Sequence, residues 1–139
     1  MYLTYDEYIQ MGGNTADEAT FENLEFEART QIDYWTFNRL VNETVQCEAV
    51  KRCMIKLIAL LADQQQLLDS SIRSKDGTSN AGILSQSNDG VSISYASLSA
   101  RDTQKALQES ITSTIQQYLG NVKNSLGQKV LYRGIYSNE

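Results

Sequence analysis

The sequence predicts a mainly α-helical protein: a small bundle with two long helices, a short N-terminal helix and a β-hairpin in its serine-rich middle. Three observations lead to this fold class. No proline interrupts the 139 residues, so nothing breaks long helices. Apolar residues recur at steps of three and four through most of the chain. One short run, residues 91–95, alternates apolar and polar side chains as a strand does.

The first two helices are predicted from their start signals. Thr4 is placed to cap a short helix, Glu7 stands three residues on to reciprocate, and Gly12 with Gly13 ends it. A second helix is predicted at about 17 to 35. Its apolar stripe consists of Phe21, Leu24, Ala28, Ile32 and Trp35.

The third helix is predicted at about 43 to 71, with two adjacent apolar stripes. The first contains Val50, Met54, Leu57, Leu61 and Leu68, and the second contains Ile55, Ile58, Ala59 and Ala62. A helix that is apolar on more than one side is covered on more than one side. At 1.5 Å per residue it would be roughly 40 Å long, so we expect it to protrude or to be flanked by other subunits.

The middle of the chain, about 72–96, is predicted as a loop insertion that carries the hairpin. Ten of residues 70–99 are serine, a composition that favours loops over core. Ile83 and Leu84 flank one side of the turn 87–90, and the alternating run 91–95 flanks the other. A lone hairpin is marginal in water, so we expect support from a helix or from another chain.

The last long helix is predicted to open at Ser99 and to end at Gly120 or Gly127. Its single narrow stripe is Leu107, Ile111, Ile115, Tyr118 and Val122. The tail, about 128–139, is predicted to be extended and is too apolar for an idle terminus. By length the chain 1–139 is interpreted as one domain.

The composition argues against several classes of function. A net charge of −5 disfavours a protein that grips nucleic acid, and the absence of histidine removes the commonest general base and metal ligand. No nucleophile, phosphate-loop or zinc motif is present, and the carboxylates are interpreted as solvated helix faces. We therefore expect no enzyme and no cofactor. Cys47 and Cys53 are interpreted as buried thiols, and neither a signal peptide nor a membrane span is expected.

Tyrosine dominates the aromatic residues, with eight of twelve. Tyrosine is enriched where proteins meet, and Tyr95, Tyr132 and Tyr136 lie outside the helical stripes. These three are the tyrosines best placed for an interface. The basic sets Lys51, Arg52 and Lys56, and Lys123, Lys129 and Arg133, are interpreted as helix-face charges and ion-pair partners.

Four short sequences, in this order and spacing, resemble the head-tail connector (adaptor) proteins of long-tailed bacteriophages. They are EARTQID at 27–33, TFNR at 36–39, DGVSISY at 89–95 and LYRGI at 131–135. The resemblance covers nearly the full chain, with a long helix on each side of the third motif. It implies a virion protein of the neck, made in the host cytoplasm, whose copies form a ring, usually of twelve, on the portal protein.

By the same resemblance, the ring extends the DNA channel and docks a tail-side neck or tail-completion protein, without sequence-specific DNA binding or a membrane. The hairpin would face the channel or the tail-side partner through Ile83, Leu84, Asn88, Asp89, Gly90, Val91, Ile93 and Tyr95. The tail would face the portal through Val130, Leu131, Tyr132, Arg133, Ile135 and Tyr136.

Three alternatives stay open at this point. The chain could be a cytosolic helical binding module that docks one partner through its apolar tail. It could be a small enzyme or nuclease that uses acidic residues and a divalent ion. It could be a DNA-binding regulator, which would bind duplex DNA tightly and in a salt-dependent way.

Overall fold

The computed structural model describes residues 1–75, 91–137 and 139. Four helices lie in these ranges: α1 (Tyr5–Gln10), α2 (Glu18–Thr36), α3 (Glu48–Lys75) and α4 (Val91–Leu119). The mainly helical class is therefore confirmed. The chain divides into two compact units, one of Met1–Ala62 with Ile111–Glu139 and one of Asp63–Ser110.

The predicted starts of the first two helices are confirmed. The Thr4 hydroxyl accepts from the Glu7 backbone N–H at 3.3 Å, and the Glu7 carboxylate accepts from the Thr4 N–H at 3.1 Å, which completes a capping box. Asp17 caps α2 by accepting from the Thr20 N–H at 2.9 Å. These caps satisfy N–H groups that have no partner inside the helix.

The core of the first unit contains the predicted stripe of α2 almost unchanged. Phe21, Leu24, Ala28 and Ile32 are buried, whereas Trp35 is half-buried. The rings of Tyr5 and Tyr8 on α1 contact the Phe21 ring, with centroids 5.3 and 5.0 Å away. Aromatic contacts thus join the two N-terminal helices.

Helix α3 begins at Glu48, five residues later than predicted. Residues 38–43 form turns, with Val41 N–H donating to Asn38 and Glu43 N–H donating to Leu40. Leu40 is buried in the same stretch, so this segment packs as a series of turns and does not begin α3. Both predicted stripes contribute to the core of the first unit through Val50, Met54, Leu57, Ile58, Leu61 and Ala62.

In the second unit the same helix has a different surface. Leu67, Leu68 and Ile72 are exposed, so within one chain the first stripe is buried only as far as Leu61. The side chains of 65–70 are all exposed.

The predicted hairpin is wrong for the residues that the structure describes. Val91, Ile93 and Tyr95 belong to the first turns of α4 rather than to a strand. A run of five residues is too short for alternation alone to separate strand from helix. Extending the helix that follows costs less than nucleating new structure. The remaining predicted hairpin residues, Ile83, Leu84, Asn88, Asp89 and Gly90, lie outside the described residues.

Helix α4 ends at Leu119, as the Gly120 signal predicts. A Cβ at Gly120 would lie 2.8 Å from the Gln116 carbonyl oxygen, so any other residue would force the backbone apart. Ile111, Ile115 and Leu119 bury one side of the C-terminal turns of the helix. Beyond them, Lys123 and Lys129 form one isolated antiparallel bridge, and the described residues contain no strand.

Candidate interaction site at the C-terminal tail

The candidate site is built around Arg39, in the turn that ends α2. Phe37 and Asn38 both take the left-handed conformation, with φ of 54° and 59°. The backbone N–H groups of both residues donate to the Asp33 carbonyl oxygen. This pair of left-handed residues ends α2 immediately before Arg39.

The Arg39 guanidinium binds the backbone of the tail, residues 128–139. One terminal nitrogen donates to the carbonyl oxygens of Val130, at 3.3 Å, and of Tyr132. The other terminal nitrogen donates to the Gly134 carbonyl at 2.7 Å. A weaker contact of 3.4 Å reaches the Lys129 carbonyl. The planar fork of arginine presents several donors in fixed directions, which suits a set of converging carbonyl oxygens.

Glu139 completes the charge balance of the Arg39 cluster. Its two carboxylate oxygens accept from the Arg39 Nε at 2.7 Å and from a terminal nitrogen at 3.2 Å, a bidentate pair. The Arg39 side chain is only 4% exposed, whereas that of Glu139 is 31% exposed. The hydrogen bond from Arg39 and the Tyr136 backbone N–H lower the pKa of Glu139. The hydrogen bond to Glu139 in turn raises the pKa of Arg39.

Aromatic rings enclose the guanidinium. The Phe37 and Tyr136 ring centroids lie 5.2 and 4.9 Å from its central carbon. The Tyr132 ring packs on Tyr136 at 5.1 Å. Flat aromatic faces favour a cation above them, so the rings stabilise a charge that water reaches poorly.

The tail is folded into turns around Arg39 instead of being extended, which corrects the sequence prediction. Tyr132 N–H donates back to Lys129, and Glu139 N–H donates back to Tyr136. Val130 N–H donates to the Val122 carbonyl at 3.1 Å, which ties the tail to the segment that follows α4. Because the backbone curves, several of its carbonyl oxygens can accept hydrogen bonds from the one Arg39 guanidinium.

The six tail residues predicted as an interface divide by exposure. Val130 is fully buried and belongs to the core. Leu131 and Tyr136 are half-buried. Arg133 is exposed and lies over the Trp35 ring at 5.8 Å, while Tyr132 is 51% and Ile135 is 87% exposed. The exposed side chains of the tail therefore include an aliphatic group, a phenol and a cation.

Sequence reasoning missed Arg39 and Glu139, the two residues that organise the site. The only available signal was an arginine in a segment without helical period, next to an asparagine, which tolerates the left-handed conformation. Nothing in the local pattern connects Arg39 with Glu139, which lies 100 residues further along the chain.

A second concave surface, a groove of about 380 Å³, lies beside the N-terminal segment. Its charged groups are already bound within the protein. The pairs are Glu7 with Lys51, Arg29 with Glu25, Asp33 with the Tyr2 hydroxyl, and Glu43 with Ser125. Gln46 also lines the groove, and its buried Oε1 has no hydrogen-bond partner. One amide oxygen does not define a ligand.

The cysteines differ from each other, contrary to the prediction that both are buried. Cys53 is buried and Cys47 is exposed. Burial raises the pKa of the Cys53 thiol to about 12. In the described ranges, no three acidic, cysteine or histidine side chains come together as metal ligands would. Over the same ranges, no helix combines the length and the apolar character that crossing a bilayer demands.

Comparison with family models, with curated proteins and with solved structures finds no match to this chain.

Proposed function

We propose that this chain is a head-tail connector of a long-tailed bacteriophage. In this proposal identical copies form a ring on the portal protein, extend the DNA channel and dock the next neck or tail protein. It is a structural virion protein without catalytic activity or cofactor, and DNA passes through the ring without sequence-specific binding.

The observation that carries the proposal is the exposed side of an anchored tail. Ile135 and Tyr132 are 87% and 51% exposed, on a segment that Arg39 fixes in place. An apolar surface on a preorganised segment loses little conformational entropy when a partner covers it. The acidic composition supports the DNA-channel part of the proposal, because a negatively charged chain does not retain DNA.

The tail is proposed to face the portal, and the test is a single substitution on its exposed side. Ile135→Asp places a charge at the centre of the proposed contact while leaving the Arg39 cluster intact. We expect portal binding to weaken at least about tenfold, measured by co-sedimentation with the portal protein. Leu126→Asp, at another residue that is 67% exposed, is the matched control. Equal binding by both variants would refute the tail assignment.

Deleting the tail is a less clean experiment. Removal of residues 129–139 would take away Val130 from the core and leave the Arg39 guanidinium without its acceptors. A loss of binding would then report a loss of folding.

Electron microscopy tests the ring. We expect closed rings when the protein is mixed with the portal protein of its own assembly. A particle that remains near 16 kDa, or twice that, in every mixture would favour the alternative, a cytosolic binding module with a single partner. The segment 83–95 stays a predicted contact surface toward the channel or the tail-side protein.

A further inference from the structure

Three aromatic residues lie at the C-terminal end of α2. Tyr34 is 74% exposed and Phe37 is 52% exposed, while Trp35 lies between them in sequence and is half-buried. The Tyr34 ring stands edge-on to the Trp35 ring, with centroids 5.8 Å apart. Singly exposed apolar residues are ordinary on a protein surface, whereas contiguous ones mark interaction sites. The end of α2 therefore presents an aromatic patch rather than one exposed ring.

Contacts with the tail extend this patch. The Arg133 guanidinium lies over the Trp35 ring at 5.8 Å. The Phe37 and Tyr136 rings both contact the Arg39 guanidinium, with centroids 5.2 and 4.9 Å from its central carbon. The end of α2 is thus joined to the tail at two separate points.

We call the exposed side of this arrangement the aromatic surface. Tyr132 belongs to it because its ring packs on Tyr136 and is itself 51% exposed. The members of the aromatic surface are Tyr34, Trp35, Phe37, Tyr132 and Arg133. Tryptophan, tyrosine and arginine are the residue types that most often dominate the binding energy of protein interfaces.

Arg133 indicates the charge of the partner. It is exposed and takes part in none of the ion pairs found in the described residues. An arginine held over an aromatic ring keeps its fork in place, and a carboxylate is the group that pairs best with that fork. The aromatic surface therefore fits a partner that presents apolar area together with an acidic group.

The exposed area of the tail alone is small for a stable complex. A standard interface covers about 800 Å² on each partner. An aromatic side chain buries about 150–250 Å², so the exposed half of Tyr132 offers roughly 100 Å². By the same measure Tyr34 and Phe37 together add roughly 250 Å². A partner that covers the tail therefore gains much of its contact area from the end of α2.

We propose that the portal protein covers the whole aromatic surface, through an apolar patch that carries a carboxylate opposite Arg133. The inference rests on the proposed function, in which the tail faces the portal. It adds the end of α2 to that contact and names the chemistry of the partner. One partner covers both parts because the α2 and tail side chains touch each other, so a protein seated on the tail reaches Tyr34 and Phe37.

Hydroxyl-radical footprinting shows directly whether this surface is covered. The full chain is oxidised alone and with saturating portal protein, and each side chain is read by mass spectrometry. Oxidation of Tyr34 and Phe37 should fall severalfold in the complex. Phe26 is the matched control, because it is 61% exposed on the same helix and also has an arginine over its ring, Arg29 at 5.4 Å. Unchanged oxidation of Tyr34 and Phe37 in the complex would overturn the inference.

Substitutions measure the contribution of each part. Tyr34→Ser, and separately Arg133→Glu, should raise the dissociation constant for the portal protein at least about tenfold in co-sedimentation. Tyr34→Phe keeps the ring, so its affinity should stay within about threefold of the wild type. Phe26→Ser is the control for the ring, and Lys56→Glu, at another exposed cation, is the control for the charge. Circular dichroism confirms that each variant is folded.

The inference is overturned if either substitution binds the portal protein as its control does. If Ile135→Asp still weakens binding in that case, the tail assignment stands and only its extension to α2 is wrong. If the wild type does not bind the portal protein at all, the connector proposal itself is wrong and the inference falls with it.

Discussion

The N-terminal segment 1–4 and the tail 128–139 are both short, non-helical and fixed to the first unit, but by different means. Leu3 is fully buried and Tyr2 is 7% exposed, so the first segment is held by apolar burial. Two hydrogen bonds to α2 set its register, one from the Tyr2 N–H to the buried Glu25 carboxylate at 2.7 Å and one from the Tyr2 hydroxyl to Asp33. In the tail only Val130 is fully buried among the apolar residues, and one guanidinium holds the backbone.

The attachment of the two segments therefore depends on two different kinds of interaction. Burial of an aliphatic side chain contributes about 1.5–3 kcal/mol and does not vary with pH. The tail depends instead on a single charged side chain and its acceptors, a contribution that one substitution or a change in protonation removes. The N-terminal segment should therefore resist changes that release the tail.

The largest expected effect is that of Leu3→Ala. Loss of a fully buried leucine leaves a cavity, and we expect the free energy of unfolding to fall by about 3 kcal/mol. Denaturant unfolding followed by circular dichroism measures this change. The control is Leu126→Ala at an exposed residue, expected within about 0.5 kcal/mol of the wild type.

Arg39→Ala is expected to lower the free energy of unfolding by about 2 kcal/mol, because it leaves buried carbonyl oxygens without donors. The effect should be confined to the tail. Amide hydrogen exchange at Val130 and Tyr132 should speed up, while Leu24 and Ile32 keep their protection. Arg39→Lys keeps the charge but loses the fork, so it should behave more like alanine than like the wild type. Full protection of the tail in Arg39→Lys would show that charge alone suffices.

The two segments should respond to opposite extremes of pH. The folded-state pKa of Glu139 is lowered, so its contribution is present above the ordinary glutamate pKa and is lost as the pH falls through the lowered value. The pKa of Tyr2 is raised, first by burial and then by its hydrogen bond to Asp33. Its contribution is present below the ordinary tyrosine pKa and is lost as the pH rises through the raised value.

Amide chemical shifts of tail residues and of Leu3, followed against pH, measure both responses. Glu139→Gln should abolish the acid response of the tail and leave the alkaline response of the N-terminal segment. Tyr2→Phe should do the reverse. A tail that loosens equally at both extremes would contradict this assignment.

The smallest expected effect on stability is that of Ile135→Ser. The side chain is 87% exposed, so the free energy of unfolding should change by less than about 0.5 kcal/mol. This variant changes only an exposed side chain of the tail, so it tests whether the contacts that hold the tail in place lie on its inner side. A large loss of stability in thermal unfolding would show that Ile135 supports the tail itself.

The helical part of the fold was predictable because its signals are local. Thr4 and Glu7 cap α1 as their spacing predicts, and the apolar period of Phe21, Leu24 and Ala28 specifies the buried side of α2. Caps and periodicity depend on residues within a few positions of one another.

The errors have physical causes. The run 91–95 alternates like a strand, but a short run cannot outweigh the helix that continues from it. The start of α3 shifted because Leu40 buries itself in a turn, which is a tertiary effect. Arg39 and Glu139 are joined only after the chain has folded, and a single sequence carries no trace of that pairing.

The unequal environments of Cys47 and Cys53 allow the protein to be labelled at a single cysteine. The buried thiol, with its pKa near 12, has almost no reactive thiolate at neutral pH, while the exposed one is accessible to maleimides. A fluorophore can therefore be attached at one defined point of the unmodified sequence. Energy transfer between labelled copies would then report how far apart neighbouring subunits stand in an assembly.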